Sequence, residues 1–244
     1  MSIDPTHRTG ARSTDARSTD LRGTGARTTG APARRAVIFD LDGVVVDSFA
    51  VMEQAFAVAY AEVVGPGPAP FDEYRRHLGR HFPDIMQIMG LPLAMEAPFV
   101  RESYRLSHQV TVFDGVLDLL TELRARGLVM AIATGKSGPR ARALLHDAGL
   151  AGFFAHVIGS DEVPRPKPAP DMVEHALRLL GVPTAEAVMV GDAPTDIASA
   201  RGAGVTAVAA TWALSDDGDL LAAHPDLVIR SPGELLAHCP AVPA

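Results

Sequence analysis

One cysteine, one tryptophan and three tyrosines occur in 244 residues, and each scarcity excludes something. Cys239 has no partner for an internal disulfide, and no cysteine spacing suits a zinc site. A reducing cytoplasm is therefore the expected setting. No apolar run approaches the roughly 20 residues of a membrane-spanning helix, and the first residues hold no hydrophobic signal core, so no membrane partner is expected. Basic residues are outnumbered, 22 Lys and Arg against 29 Asp and Glu, for a formal charge of −7. That balance argues against nucleic acid as the main partner. Apolar residues are plentiful at 47%, enough for one large domain or a domain carrying an insert.

Residues 1–34 stand apart. They are built from Arg, Thr, Ser, Gly, Asp and Ala, and Ala11-Arg-Ser-Thr-Asp15 repeats at once as Ala16-Arg-Ser-Thr-Asp20. Through Arg35 this stretch carries seven arginines against three aspartates. Almost nothing in it can be buried, so it reads as a disordered low-complexity tail. A tether to an acidic partner, a dispensable extension, a start codon placed too early and a transit peptide are the alternatives.

From Arg35 on, short Val/Ile/Ala-rich runs alternate with helical patterns. Strands are expected at 35–41, 128–134, 156–159, 187–191, 205–209 and 226–229, with helices near 115–126, 138–149, 170–180 and 195–203. This is the rhythm of a parallel α/β sheet, a Rossmann-like doubly wound core. Between Ser48 and about Val112 no strand is evident. Amphipathic stretches such as Val51–Tyr60 and Phe99–His108 flank the breaker Gly65-Pro-Gly-Pro-Ala-Pro70. About sixty residues exceed an ordinary connection, so 51–111 is expected to be an all-α cap domain inserted into a core of 35–50 and 112–244.

Four segments place reactive groups at strand ends. Ala36-Val-Ile-Phe-Asp40-Leu-Asp42-Gly43 ends an apolar run with two carboxylates one residue apart, followed by Asp47-Ser48. Parallel sheets hold ligands beyond such ends, and crowded carboxylates ask for a cation. A turn or helix-capping aspartate is the plainer reading. Ala131-Ile-Ala-Thr134-Gly135-Lys136-Ser137 offers a hydroxyl and free N–H groups to an anion, although an ordinary β-α turn looks the same. It mimics the end of a P-loop, but Met130 stands where that motif needs glycine.

Arg165-Pro-Lys167-Pro-Ala-Pro170 pins a lysine among prolines, which aims an otherwise floppy ammonium; a solvated loop is the commoner fate of lysine. Ala187-Val-Met-Val-Gly191-Asp192 ends a third apolar strand, and Asp196 falls on the next helical turn, where a capping role competes. Together Asp40, Asp42, Asp192, Asp196, Thr134 and Lys167 fall at one sheet edge. An all-oxygen site of this kind suits Mg²⁺.

The joint pattern resembles the haloacid dehalogenase superfamily phosphatases, phosphoglycolate phosphatase-like branch, over about residues 35–240. The resemblance implies Asp40 as the nucleophile, Asp42 as general acid/base, and Thr134, Gly135 and Lys167 as phosphate-binding residues. It implies Mg²⁺ on the Asp40 carboxylate, the Asp42 backbone carbonyl and Asp192, with Asp196 standing behind these ligands. A second aspartate at position 42 favours phosphate transfer over carbon–halogen cleavage within that superfamily.

In the expected cap, Tyr74-Arg-Arg-His-Leu-Gly-Arg-His-Phe82 groups polar donors around a glycine. Arg76, His77, Arg80 and His81 are candidates for touching the leaving group of a small phosphorylated metabolite; a solvated helix face is the alternative. Runs at 82–86, 99–105, 134–142 and 158–167 resemble the phosphatases associated with 3-amino-5-hydroxybenzoate formation in ansamycin pathways. They imply a sugar or aminosugar phosphate. A β-phosphoglucomutase-like mutase and a non-catalytic binding protein on the same scaffold are the competing readings. Oligomeric state is not legible in the chain.

Overall fold

The computed structural model describes residues 34–242, so the expected tail lies, Arg34 apart, outside the described residues. In chain order the elements are β1 (Ala36–Phe39), β2 (Val46–Asp47), α1 (Phe49–Val63), α2 (Phe71–Arg75), α3 (Phe82–Met89) and α4 (Glu96–Arg105). There follow β3 (Thr111–Val112), α5 (Val116–Ala125), β4 (Val129–Thr134), α6 (Gly138–Asp147) and β5 (His156–Gly159). The chain continues through α7 (Asp171–Leu180), β6 (Ala187–Gly191), α8 (Pro194–Ala203), β7 (Thr206–Ala210), α9 (Gly218–Ala222) and β8 (Leu227–Ile229).

Six strands form one parallel sheet in the order β5-β4-β1-β6-β7-β8. The apolar runs are continuous because both faces are covered. Alternation sorts each strand between two cores: Val37 and Phe39 of β1, Ile132 of β4 and Val190 of β6 pack on one face. Ala36, Ile38, Ala133 and Met189 pack with α7 and α8 on the other. All these residues are essentially inaccessible to solvent.

The expected strands are all present, with no end moved by more than two residues. One expectation needs correction. The stretch from Ser48 to Val112 is not free of strand, because β3 pairs antiparallel with β2, Val46 opposite Val112 and Asp47 opposite Thr111. Two-residue strands are too short to show a period of two. Between them run α1 to α4, which hold a third core of their own around Phe56, Tyr74, Phe82, Ile85, Met86 and Phe99. Phe82 and Phe99 stack with centroids 4.8 Å apart. Burying each such ring stabilises the insert by about 1.5–3 kcal/mol.

Candidate active site

Setting aside the short β2–β3 ribbon, the chain fills the sheet outward from β1 on one side and then, from β6, on the other. The direction of winding reverses between β1 and β6, and doubly wound sheets bind ligands at the carboxyl end of that reversal. Asp40 and Asp192 are the first residues past the ends of these two strands. The Asp40 N–H donates to the Val190 carbonyl at 2.8 Å, which locks the two ends together. Gly43 lets them close further: with φ of +83°, it sits where a β-carbon would fall 2.0 Å from Asp192 Oδ2.

Lys167 lies behind Asp40, its side chain wholly buried. Its ammonium donates to Asp196 Oδ1 at 2.5 Å and sits 3.0 Å from Asp40 Oδ1. Burial alone would strip its proton, but Asp196 and Asp40 outweigh that effect and hold its pKa above the ordinary lysine value. Asp196 is fully enclosed. Its second oxygen accepts the Ala193 N–H at 3.0 Å, where α8 opens on Pro194.

Asp40 Oδ1 is buried, and no donor meets it at hydrogen-bonding angles, Lys167 included. Carboxylate oxygens of Asp40, Asp192 and Asp196 all lie within 4.8 Å of one another. Three carboxylates face one ammonium there. Burial, with Asp196 and Asp42 adding to it and Lys167 opposing, pushes the Asp40 pKa up to about 7. Burial and the charges of Asp40 and Asp196 likewise raise Asp192 well above the carboxylate range. Surplus negative charge in an all-oxygen donor set fits a hard divalent cation.

Asp42 faces another way. Its Oδ1 accepts the Ser48 hydroxyl, and its Oδ2 lies 3.1 Å from Lys136 Nζ. The Asp42 side chain is thus outside the carboxylate cluster. Thr134 closes β4, is buried, and accepts the Lys136 N–H at 3.2 Å. Lys136 and Ser48 are the two groups the sequence reading did not assign. Gly135-Lys136-Ser137 reads as an anion-receiving turn and a failed P-loop, with no role for the Lys136 side chain, and nothing local links position 136 to position 42.

A cleft lies over these groups. Asp40, Asp42, Asp192, Thr134, Gly135 and Lys136 line it from the sheet; Tyr74, Gly79, Arg80, Phe82 and Phe99 line it from the helical insert. Gly135 permits the approach, since a β-carbon there would fall 2.7 Å from the Arg80 carbonyl oxygen. The four insert candidates separate. Arg80 lines this cleft, and Arg76 lines a neighbouring one that also reaches Asp192. His81 turns to the sheet side, with Nδ1 2.7 Å from Ser160 Oγ, while that hydroxyl donates to the Gly135 carbonyl at 2.7 Å. His77, half-buried, lines neither cleft.

A family model described as haloacid dehalogenase-like hydrolase matches residues 34–204, which carry every one of these groups. The chain belongs to the haloacid dehalogenase-like hydrolases. Among members of this family it is 33% identical to "Probable phosphatase IndB" of Dickeya dadantii over 213 residues, covering 82% of this chain and 91% of the relative. It is 32% identical to a "Phosphoglycolate phosphatase" of Chromobacterium violaceum, covering 82% and 94%. A crystal structure of a hydrolase from Pseudomonas syringae superposes with a TM-score of 0.74 at 26% identity, covering 84% and 97%.

Proposed function

We propose that this hydrolase is a Mg²⁺-dependent phosphatase that cleaves a small phosphate monoester through an aspartyl-phosphate on Asp40. One observation carries the reading: the carboxylates of Asp40, Asp192 and Asp196 converge beside a single ammonium, Lys167, and Asp40 and Asp192 line the cleft. Relatives of similar length named as phosphatases support the reaction class.

Asp40, Asp192 and the Asp42 backbone carbonyl would hold the metal, which supplies charge neutralisation for the approach of one anion to another. The Asp40 carboxylate attacks phosphorus, forming the O–P bond as the ester O–P bond breaks. Asp42, anchored by Ser48 and Lys136, gives its proton to the leaving oxygen and later takes one from the attacking water. The Thr134 hydroxyl and the Gly135 N–H side of the β4 turn receive phosphate oxygens. Lys167 offsets charge from behind Asp40, and Asp196 fixes Lys167.

The helical insert 51–111 serves as the cap, with Arg80 toward the leaving group. The leaving group is a sugar, an aminosugar or a small acid. Likeness of residues 134–142 and 158–167 to the 3-amino-5-hydroxybenzoate phosphatases supports an aminosugar phosphate in an aminoshikimate route as the first class to assay. The mutase reading has behind it a fold likeness at 24% identity.

The deciding experiment is phosphate release across a monoester panel with Mg²⁺ and with EDTA. Wild type is expected to turn over with Mg²⁺ alone, and Asp40→Asn to release none while keeping its circular dichroism and melting cooperativity. Turnover by purified Asp40→Asn near the wild-type rate would overturn the mechanism. Isomerised sugar phosphate without net phosphate release would replace it with the mutase.

A further inference from the structure

A second cavity lies between the insert and the sheet domain, lined in part by Ser48, Met52, Tyr104, Lys136 and Arg140. Met52 and Lys136 also line the cleft over Asp40, so the two spaces share a wall. Arg140 stands on the first turn of α6. Its guanidinium carbon lies 5.1 Å from the centre of the Phe99 ring, itself part of the reaction cleft.

Arg140 differs from the arginines of the chain that are tied down by carboxylates. Exposed Arg101, Arg105, Arg142 and Arg165 each hold a carboxylate within 2.8 Å. Among the described residues no carboxylate or other acceptor bonds Arg140. Burial lowers its pKa, and Tyr74, Asp42, Tyr104 and Glu96 act on it only through space. A guanidinium stays charged in such a setting and presents five N–H donors in a rigid fork. Donors partly withdrawn from water and without a protein acceptor gain when an anion takes them. Arg140 is only part-buried, and it lines the cavity.

We propose that Arg140 is a specificity residue, and that the cavity it lines receives a second anionic group, a carboxylate or phosphate, carried by the leaving group of the ester. The inference rests on the phosphatase reading and narrows its substrate class to those sugar, aminosugar or small-acid esters whose leaving group carries that second anion. The bidentate fork suits either group, and Lys136 on the shared wall adds positive potential between the two spaces.

The test compares wild type, Arg140→Met and Arg140→Lys on two probes. One is p-nitrophenyl phosphate, whose leaving group bears no second anion; the other is a set of small carboxylate-bearing phosphates and bisphosphates. For Arg140→Met, kcat/KM on the anionic set is expected to fall about tenfold or more relative to p-nitrophenyl phosphate, mostly through KM, with Arg140→Lys recovering part of the loss. An equal fall on both probes would show that Arg140 only ties α6 to Phe99, and an unchanged ratio would likewise overturn the proposal. Calorimetric binding of the anionic set to Asp40→Asn, with and without Arg140→Met, scores the site without turnover. Tenfold weaker binding in the double variant supports it even if the phosphatase mechanism fails; equal binding sinks it.

Discussion

Lys136 Nζ lies 3.1 Å from Asp42 Oδ2, a contact that joins the β4 turn to the β1 turn across the mouth of the site. Burial lowers the pKa of Lys136, and the Asp42 carboxylate opposes that fall. With Ser48 on its other oxygen, Asp42 is held at two points rather than left to rotate.

Asp42→Asn should therefore lower kcat by about 10²–10⁴, the usual contribution of general acid–base catalysis, with KM little changed. Lys136→Met should fall short of that, because Ser48 still holds one oxygen. Steady-state kinetics on a single ester check both, and an undiminished kcat in Asp42→Asn would remove the acid/base assignment.

The crowded carboxylates make a prediction about stability. Asp40 has its folded-state pKa raised to about 7, chiefly by burial, and Asp192 is raised as well. A group raised on folding contributes stability that is complete below its unfolded value, near 4, and is lost as pH climbs through the folded value. In EDTA the melting temperature should thus drop between about pH 4 and pH 8. Asp40→Asn should flatten that drop and be more stable than wild type at pH 8, by roughly 1–3 kcal/mol. Mg²⁺ should restore wild type at pH 8 and do less for the variant. Calorimetry at four pH values, with and without metal, reads all of this.

Gly43→Ala places a methyl group where Asp192 Oδ2 now sits, at a φ that side chains rarely adopt. Metal affinity and turnover should fall together, while the far ends of β1 and β6 keep their protection in hydrogen exchange. Retained metal affinity would show that Asp192 can move aside without consequence.

Ser160 is buried and bridges two parts of the molecule through His81 and the Gly135 carbonyl. Since its hydroxyl donates to the carbonyl, His81 donates from Nδ1, which fixes the ring's tautomer. Ser160→Ala should destabilise the protein by about 1 kcal/mol and raise KM for every ester alike. A change confined to one substrate would instead make His81 a ligand contact.

Much of this was readable before folding. Val37 and Phe39 alternate with Ala36 and Ile38, and a run apolar at both parities belongs to a strand covered on both faces. The strand ends then delivered Asp40, Thr134 and Asp192 without any knowledge of contacts. Lys136 and Ser48 stayed hidden because their meaning is relational: each matters through Asp42, and nothing in the local sequence sets that approach. His81 and Ser160 are 79 residues apart, and a histidine among arginines reads as a substrate contact until its partner is known. The β2–β3 pair stayed hidden for want of length.

That pair has a mechanical meaning. The chain enters and leaves the helical insert through two facing residue pairs, so the insert hangs on one narrow ribbon. The residue next to the ribbon on the entering side is Ser48, whose hydroxyl grips Asp42. Under the proposed mechanism, a swing of the insert about this ribbon would pull on that grip and so gear substrate access and the aim of Asp42 to one pivot.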